Sequence, residues 1–408
     1  MYELIKKLDF VRLSGTEDEA RAARIIAAEC TSFSLDAGIE TFPTQDGEVL
    51  ETYLEVLEPY RKVYEAVAHR RSACLDAEVG IEYAEDGLDV NLAGCAGKAI
   101  LLNTGITKQK YPALVKAKPA CVIVGNGDLL DRDEDTDLIG GMLRPSVTDS
   151  CEERLCALTV RMRDLYEMIV KGASRAKIKL VTRDFENTSR NVTACIKGTE
   201  YPDEIITFTA HMDSVQFSHG CYDNAAGSAI IMELARHFTQ NPPARTLRFV
   251  WAGSEERGLL GSKAFVKAHD EEIKNTRLCI NVDLAGSPAG RDFAIVTGPD
   301  ELSKHIDMSM KENGFAVEVK CDTYSSDCIP FADAGVPAVS MGRFGAPGMR
   351  YIHSRRDKLD YVSAASLART GKMIKLFAER MANARVLPVE RKIPDDIKKK
   401  IADYLAKK

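Results

Sequence analysis

Five short segments of this 408-residue chain carry histidine and carboxylate side chains, which are common ligands of zinc. They are His211-Met212-Asp213, Tyr222-Asp223-Asn224, Ser254-Glu255-Glu256, Val282-Asp283 and Ile352-His353. Neutral imidazole binds zinc well, and a carboxylate can bridge two cations through its two oxygens. Two adjacent glutamates repel each other when they are buried, unless a cation compensates them. The chemistry that fits this set is a metal site where one glutamate binds metal and its neighbour takes a proton from water.

Each segment also has a plainer interpretation when it is taken alone. Asp223 can be the N-cap of a helix, the pair Glu255-Glu256 can be solvated, and His211 with Asp213 can lie in a surface loop. The positions of the segments along the chain favour the metal site. Apolar runs that predict strands precede most of the segments, and helical patterns follow two of these strands. The predicted strands are 205–210, 246–252, 277–282 and 337–341, and the predicted helices between them are 226–238 and 260–269.

This alternation predicts an α/β domain with a mostly parallel sheet that is covered on both faces. In such sheets ligands bind beyond the carboxyl ends of the strands, where the five segments lie. The middle of the chain repeats a strand–helix–strand pattern over 99–102, 113–118 and 121–124, and a helix is predicted at 17–33 near the start. We expect a catalytic domain of residues 1–52 and 186–385, an inserted lid domain of residues 53–185, and a C-terminal amphipathic helix in 386–408 that packs on its own chain or on a partner subunit.

Composition excludes several classes of protein and bears on location. The net charge is −6, which disfavours partners such as nucleic acid or a membrane surface. The sequence contains no apolar run of signal-peptide or membrane-spanning length. The eleven cysteines form no C-x-x-C pair, and many lie in apolar runs, which is typical of reduced core thiols. The sequence therefore predicts a cytoplasmic protein and leaves open whether it is a homodimer.

The order of the motifs resembles that of the co-catalytic zinc aminopeptidases, metallopeptidase family twenty-eight, which includes aminopeptidase Y, glutamate carboxypeptidase and glutaminyl cyclase relatives. The motifs are His-x-Asp-Ser, Asp-Asn-x-x-Gly, Glu-Glu-x-Gly-x-x-Gly-Ser, an aspartate and a late histidine. The resemblance implies a three-layer α/β sandwich of the zinc exopeptidase (phosphorylase/hydrolase-like) type with a mostly parallel mixed sheet. The middle of the chain is similar to a protease-associated domain, which would be the insert.

The resemblance also implies roles for individual residues. His211 and Asp283 would bind one zinc ion, Glu256 and His353 the other, and Asp223 would bridge both. Two Zn²⁺ ions per chain are expected, with Co²⁺ or Mn²⁺ as substitutes. Glu255 would be the general base and acid, Asp213 would orient His211, and the peptide bond between Asp223 and Asn224 would be cis. Asp327 and Cys328 match the family's Ser-Asp-His-x-Pro-Phe motif and are expected at the pocket, with Cys328 in place of the usual histidine. Independently of the resemblance, the phenols Tyr324 and Tyr351 are candidates for the oxyanion, and His219 is expected in the substrate pocket or in a structural role.

The predicted function is that of an aminopeptidase, which removes N-terminal residues from peptides by means of a hydroxide held by two zinc ions. A carboxypeptidase or another amide hydrolase of the same family is the alternative, because arginines that could hold a terminal carboxylate lie near His353 in the sequence. These are Arg343, Arg350, Arg355 and Arg356. More distant alternatives are a one-metal glutaminyl cyclase-like transferase and a non-catalytic binding protein. The second would be expected to have lost metal ligands.

Overall fold

The structure is a computed structural model, and it describes residues 1–132, 134, 136–148, 151, 153–349 and 351–405. The helices are α1 (Tyr2–Lys7), α2 (Glu17–Thr31), α3 (Tyr111–Ala117), α4 (Pro145–Thr148), α5 (Met162–Val170), α6 (Ala226–Gln240), α7 (Leu260–Ala268), α8 (Asp270–Asn275), α9 (Asp300–Glu312), α10 (Cys328–Asp333), α11 (Ala364–Asn383) and α12 (Asp395–Leu405). The strands are β1 (Ala37–Glu58), β2 (Lys62–Tyr64), β3 (Ala66–Ala68), β4 (Leu75–Tyr83), β5 (Ala99–Leu102), β6 (Cys121–Asn126), β7 (Ala157–Arg161), β8 (Arg175–Ile196), β9 (Tyr201–His211), β10 (Arg245–Ala252), β11 (Thr276–Val282), β12 (Gly290–Thr297), β13 (Val317–Cys321) and β14 (Ala338–Gly345).

The chain divides into two compact units. Unit one contains Met1–Thr44 and Thr188–Lys408, and unit two contains Gln45–Asn187. The limits between the units fall inside the long strands β1 and β8. The five segments singled out in the sequence all belong to unit one.

The sheet of unit one is mostly parallel, as the sequence predicts. Its strand order is β13-β12-β14-β11-β9-β10-β8. The four central strands β14, β11, β9 and β10 are parallel, whereas β12 and β8 run antiparallel to their neighbours β14 and β10. The four predicted strands are confirmed, with β9 starting earlier at Tyr201 and β14 continuing to Gly345. Parallel strands end at one edge of the sheet, so the loops that follow them meet there.

Helices cover both faces of this sheet because side chains of successive strand residues point to opposite faces. On β10, Phe249 and Trp251 pack in a core with α1, α2, α6, α9 and α11, while Val250 packs in a second core with α7, α8, α10 and α12. The same alternation occurs on β11, where Cys279 belongs to the second core. Unit one is therefore a three-layer α/β sandwich, as expected.

Unit two has its own run of paired strands and its own cores. Strands β4, β5, β6 and β7 follow one another in the sheet, β3 lies beside β7, and the first part of β8 pairs with β4. Leu101 and Ile123 pack with α5 on one face, and Ile100 and Val122 pack with α3 on the other. The predicted strand–helix–strand pattern of this region is confirmed.

Two further observations concern the cysteines and the apolar character of the helices. The eleven cysteines are all free thiols. Within the described ranges, no helix combines the length and the apolarity needed to cross a membrane.

Helix α12 packs on its own chain. Ile393, Ile397 and Ile401 recur at four-residue spacing and are almost completely buried in the second core of unit one. The last residues of the predicted segment, 406–408, lie outside the described residues. These buried isoleucines pack the C-terminal helix against the sheet that carries the candidate site.

We predict that Ile397→Ala lowers the free energy of unfolding by about 2–4 kcal/mol, because it leaves a cavity where a buried side chain was. Trp251 is the only tryptophan of the chain and is buried in unit one, so its fluorescence during urea unfolding reports on this unit. Lys399→Ala, on the exposed side of the same helix, is the control and should change stability by less than about 0.5 kcal/mol. Equal effects of the two substitutions would contradict the packing of α12.

Candidate metal centre

The candidate ligands lie at the carboxyl ends of the four central strands of unit one. His211 is the last residue of β9, and Asp283 directly follows β11. Glu256 lies four residues after the end of β10, and His353 lies in the loop that follows β14. The register pairs Ala252, the end of β10, with His211. The fold therefore gathers residues that are far apart in the sequence.

One group of ligand atoms forms around His211. Its Nε2 atom lies 3.0 Å from Oδ1 of Asp223 and 3.6 Å from Oδ1 of Asp283. All three residues are buried. Oδ1 of Asp283 has no hydrogen-bond partner within the described part of the chain, which is costly for a buried carboxylate oxygen. A cation between these three groups would satisfy it.

A second group forms around His353. Its Nε2 atom lies 3.0 Å from Oε1 of Glu256 and 3.4 Å from Oδ2 of Asp223. Asp223 thus presents one oxygen to each group, which is the arrangement of a carboxylate that bridges two cations. His211, Glu255 and Glu256 form a third close set of potential ligand atoms. Imidazole and carboxylate donors in two adjoining groups fit a pair of zinc-type ions.

The backbone before α6 explains why the motif Asp-Asn-x-x-Gly is needed. The side-chain amide of Asn224 donates to the carbonyl of Val282 at 2.8 Å and accepts from the N–H of Gly227 at 2.9 Å. A Cβ atom on Gly227 would lie 2.2 Å from Oδ1 of Asn224 and 2.4 Å from the carbonyl oxygen of Val282. Only glycine fits there, so the start of α6 packs directly on the end of β11. The peptide bond between Asp223 and Asn224 is cis, as the resemblance implied.

Asp213 holds the loop that carries the two glutamates. Its carboxylate is buried and accepts the backbone N–H of Glu255 at 3.0 Å and that of Glu256 at 3.3 Å. Nδ1 of His211 lies 3.2 Å from the backbone carbonyl of Asp213 and 3.6 Å from its carboxylate. The expected ring contact therefore goes to the main chain, and the carboxylate positions Glu255 and Glu256. A proton on Nδ1 of His211 leaves Nε2 free to bind a metal ion.

Non-glycine residues in the left-handed region cluster at these loops. Ser254, directly before Glu255, has φ of 56°, and Leu284, directly after Asp283, has φ of 62°. His353 itself has φ of 57°. Such conformations are unfavourable by about 1–3 kcal/mol each and are typical of functional sites.

The electrostatics of the site show an excess of buried negative charge. Burial raises the pKa of the Glu255 carboxyl well above its ordinary value; the ring of His211 opposes this shift, and the nearby Glu256 adds to it. Burial also raises the pKa of Asp283. Burial works against ionisation of Asp223 as well, but hydrogen bonds from His211 and His353 hold its pKa below the ordinary value. Bound cations would relieve the remaining repulsion.

The candidate pocket residues fall into different environments. Burial raises the pKa of the Tyr324 phenol, and the carboxylates of Asp283 and Asp223 add to the shift. Burial raises the pKa of Asp327 to about 7, and its Oδ1 accepts a hydrogen bond from the hydroxyl of Ser262 at 2.5 Å. The charges of the candidate centre therefore act on both groups: Asp283 and Asp223 on Tyr324, and His211 and Asp283 on Asp327.

The other candidates have local partners. Nδ1 of His219 lies 2.7 Å from the carboxylate of Asp9, and the ring of Tyr351 lies 4.6 Å from that of Tyr361. Cys328 is fully buried in the second core and accepts a hydrogen bond from Ser340 at 3.3 Å. These positions favour structural roles for His219 and Cys328.

Of the arginines near His353 in the sequence, Arg343 lies in β14 and has polar partners within unit one. Arg343 pairs with the buried carboxylate of Asp292 at 3.2 Å and donates to the carbonyl of Ser287 at 3.0 Å. Arg350 lies outside the described residues. Arg343 therefore already has an anionic partner within its own unit.

Three buried charged residues of the site escape detection from the sequence. The guanidinium of Arg12 donates to the carbonyls of Met212 at 2.7 Å and Gly220 at 2.9 Å. Asp357 accepts from the main chain of the turn that contains Asp223. Glu19 accepts a hydrogen bond from the hydroxyl of Ser189 at 2.6 Å. Its carboxylate also lies next to Gly253, which directly follows β10 and precedes Glu255 by two residues. The contacts that link them to the site are with residues distant in the sequence, so no local pattern reveals them.

Comparison with known proteins agrees with this geometry. Residues 191–378 match the description Peptidase family M28. Aminopeptidase YwaD of Bacillus subtilis (strain 168) is 26% identical over 391 residues, which are 89% of this chain and 79% of that protein. Leucine aminopeptidase 2 of Trichophyton equinum is 28% identical over 262 residues, 58% of this chain, and the match spans about half (53%) of the fungal protein.

Solved structures share the fold over nearly the whole chain. The aminopeptidase from Aneurinibacillus sp. strain AM-1 superimposes with a TM-score of 0.77 at 23% identity and covers 95% of both chains. The zinc aminopeptidase BSAP from Bacillus subtilis superimposes with a TM-score of 0.78 at 22% identity and covers 97% of both chains. The order and connection of the elements are therefore those of a known α/β architecture.

Glu19 gives a prediction about pH. Burial raises the pKa of its carboxyl to about 7 from the ordinary 4.5, although its hydrogen bonds oppose the shift. A carboxyl whose pKa is higher in the folded state than in the unfolded state lowers stability as pH rises between those two values. We predict that Glu19→Gln, which cannot ionise, gains about 1–3 kcal/mol of unfolding free energy relative to wild type between pH 5 and pH 8.

The measurement is urea unfolding with a chelator present, so that metal binding does not contribute. The control is Glu17→Gln on the same helix, whose carboxylate is exposed and paired with Arg24 and whose pKa is lowered by that pair. Its stability relative to wild type should not rise with pH. A Glu19→Gln difference that is constant from pH 5 to pH 8 would contradict the raised pKa.

Proposed function

We propose that the chain, whose residues 191–378 match peptidase family M28, is a metal-dependent aminopeptidase of that family that hydrolyses the first peptide bond of peptides. The shared carboxylate of Asp223, with one oxygen directed to each ligand group, is the observation that carries this proposal. The names of the similar proteins, aminopeptidase YwaD and leucine aminopeptidase 2, support the choice of an aminopeptidase.

Each ligand group is proposed to hold one zinc ion. His211 and Asp283 would bind the first ion, Glu256 and His353 the second, and Asp223 both. The orphaned oxygen of Asp283 and the donor set of imidazole and carboxylate groups support this assignment, and Co²⁺ or Mn²⁺ can occupy such sites. When bound, the ions act as Lewis acids that polarise the substrate carbonyl and lower the pKa of water.

Glu255 is proposed as the general base and acid. Glu256 lies against His353, which favours Glu256 as the ligand and leaves the Glu255 carboxylate for proton transfer. Glu255 would take a proton from the attacking water and deliver it to the nitrogen of the leaving amine. Asp213 fixes the backbone of both glutamates and so keeps the base at a constant distance from the substrate.

Tyr324 is proposed as a donor to the oxyanion. The raised pKa of its phenol keeps it protonated at neutral pH, and a neutral phenol can donate a hydrogen bond to the developing negative charge. Tyr351 and Asp327 remain predicted pocket residues. The burial of Cys328 supports a role in packing beside Asp327 and not in contact with substrate.

The charge of the site favours an aminopeptidase over a carboxypeptidase. Buried carboxylates attract the ammonium group of a free peptide N-terminus. A carboxypeptidase instead needs a cation for the terminal carboxylate, and Arg343 is already bound to Asp292. The non-catalytic alternative is disfavoured because none of the predicted ligands or the base is replaced.

The predicted organisation and location are also proposed. Residues 1–52 and 186–385 would form the catalytic domain and 53–185 a protease-associated-like insert; the separate cores of unit two support an independently packed domain. The free state of all eleven cysteines supports a reducing compartment, the cytoplasm. Peptides are the proposed partners, and a homodimer remains a prediction.

A substrate panel tests the activity. We predict that the wild type releases the chromophore from aminoacyl chromophores with a free amine and leaves N-acetylated analogues intact. Glu255→Ala should lower kcat by about 10²–10⁴-fold while metal content per chain stays the same. The control is Glu271→Ala, which changes an exposed carboxylate of α8 and should keep full activity. Turnover of only N-acetylated substrates would contradict an aminopeptidase, and full activity of Glu255→Ala would contradict its role as the base.

Removal of metal tests the ligand assignment. Because ligands that bind only the folded state stabilise it, exhaustive chelation should lower the Tm, and two equivalents of Zn²⁺ should restore both Tm and activity. At free zinc 100 times its Kd, each site adds about 2.7 kcal/mol to the unfolding free energy, which corresponds to a rise in Tm of about 3 °C per site for a chain of 408 residues. Mg²⁺, which prefers oxygen ligands, is the control. An unchanged Tm after chelation would contradict metal binding at this site.

A further inference from the structure

We propose that Asp357 is a positioning residue that couples the loop of His353 to the backbone of Asp223 and thereby forms the second metal position. Asp357 is completely buried. Its Oδ1 accepts the backbone N–H of Tyr222 at 2.6 Å, and its Oδ2 accepts that of Asp223 at 3.0 Å. This inference rests on the proposed two-metal function and adds a residue to it.

The turn at Asp223 needs an external acceptor. Asp223 precedes α6 and has a non-helical backbone, with φ of −123° and ψ of 85°. A buried N–H without a partner is costly, and one carboxylate satisfies two successive N–H groups of this turn. The direction of the Asp223 side chain thus depends on Asp357.

The contact between Asp357 and the Asp223 turn matters because Asp357 lies in the same loop as His353. Asp357 lies four residues after His353 in the loop between β14 and α11, and its backbone N–H donates to the carbonyl of Ser354 at 3.1 Å. The loop that carries one proposed ligand is therefore bonded to the main chain of another. The 3.4 Å separation between Nε2 of His353 and Oδ2 of Asp223 is set across this link.

Arg12 makes the buried charge of Asp357 tolerable. This guanidinium is completely buried, and its positive charge is attracted to Asp357, Asp213 and Asp223. It donates to the carbonyls of Met212 and Gly220, on the loop that leads to the turn. The turn is thus held on its carbonyl side by a cation and on its N–H side by an anion.

The first metal position does not depend on this link in the same way. His211 and Asp283 sit at the ends of β9 and β11, which are adjacent parallel strands. Asp357→Asn replaces one acceptor oxygen by an amide NH₂, which would face a backbone N–H of the turn. The substitution should therefore weaken the second position selectively.

The experiment is a Co²⁺ titration of the metal-free full chain, followed by the visible absorption of the bound ion. Wild type should bind two equivalents. D357N should bind the first equivalent with a Kd within about threefold of wild type and the second at least tenfold more weakly. D292N is the matched control: Asp292 is a buried carboxylate of β12 that is bonded to Arg343 and Thr370, so its loss should reduce stability without selective loss of one site.

Each outcome decides the inference. A D357N protein that binds both equivalents as wild type does, or that loses both to the same extent, would overturn it. A wild type that saturates at one equivalent would overturn the two-metal function as well. If D357N does not fold, as judged by Trp251 fluorescence, the smaller D357S is titrated against the same criterion.

Discussion

Repulsion between buried carboxylates is the interaction on which the structure around the site depends. Asp223, Glu256 and Asp283 converge at one edge of the sheet, and Glu255 lies beside them. Burial and mutual repulsion raise the pKa values of Glu255 and Asp283, and two imidazole rings and the guanidinium of Arg12 offset part of the negative charge. Such a cluster is unfavourable unless it binds something positive. The two ions proposed to share Asp223 would provide that charge, and one of them would satisfy the Asp283 oxygen that has no hydrogen-bond partner.

Hydrogen bonds to the backbone hold the loops that carry the candidate ligands in place against this repulsion. Asp213 holds the two glutamates through their N–H groups, and Asn224 ties the start of α6 to the end of β11. Arg12 and Asp357 hold the turn before Asp223 from opposite sides. These contacts fix the backbone positions from which the candidate ligand side chains extend. A rigid set of ligands lowers the entropic cost of metal binding and of aligning a substrate.

The fold and the gathering of the candidate ligand residues were accessible to prediction because their signals are local. Apolar strands that end in histidine or acidic residues indicate both a parallel sheet and the edge where a site lies. The glycine of the motif Asp-Asn-x-x-Gly is required by the close packing of α6 on β11. Arg12, Glu19 and Asp357 gave no such signal. Their partners lie 200, 170 and 134 residues away in the chain, and each residue type is ordinary in its local context. For the same reason the sequence does not reveal that Arg343 pairs with the buried carboxylate of Asp292.

The central claim is that two ions share the carboxylate of Asp223. Anomalous diffraction at the zinc absorption edge, from crystals grown with zinc, tests it most directly. The account predicts two peaks roughly 3.5–4 Å apart, one beside His211 and Asp283 and one beside Glu256 and His353, with one oxygen of Asp223 bound to each. A single peak, or two peaks that do not share Asp223, would contradict it.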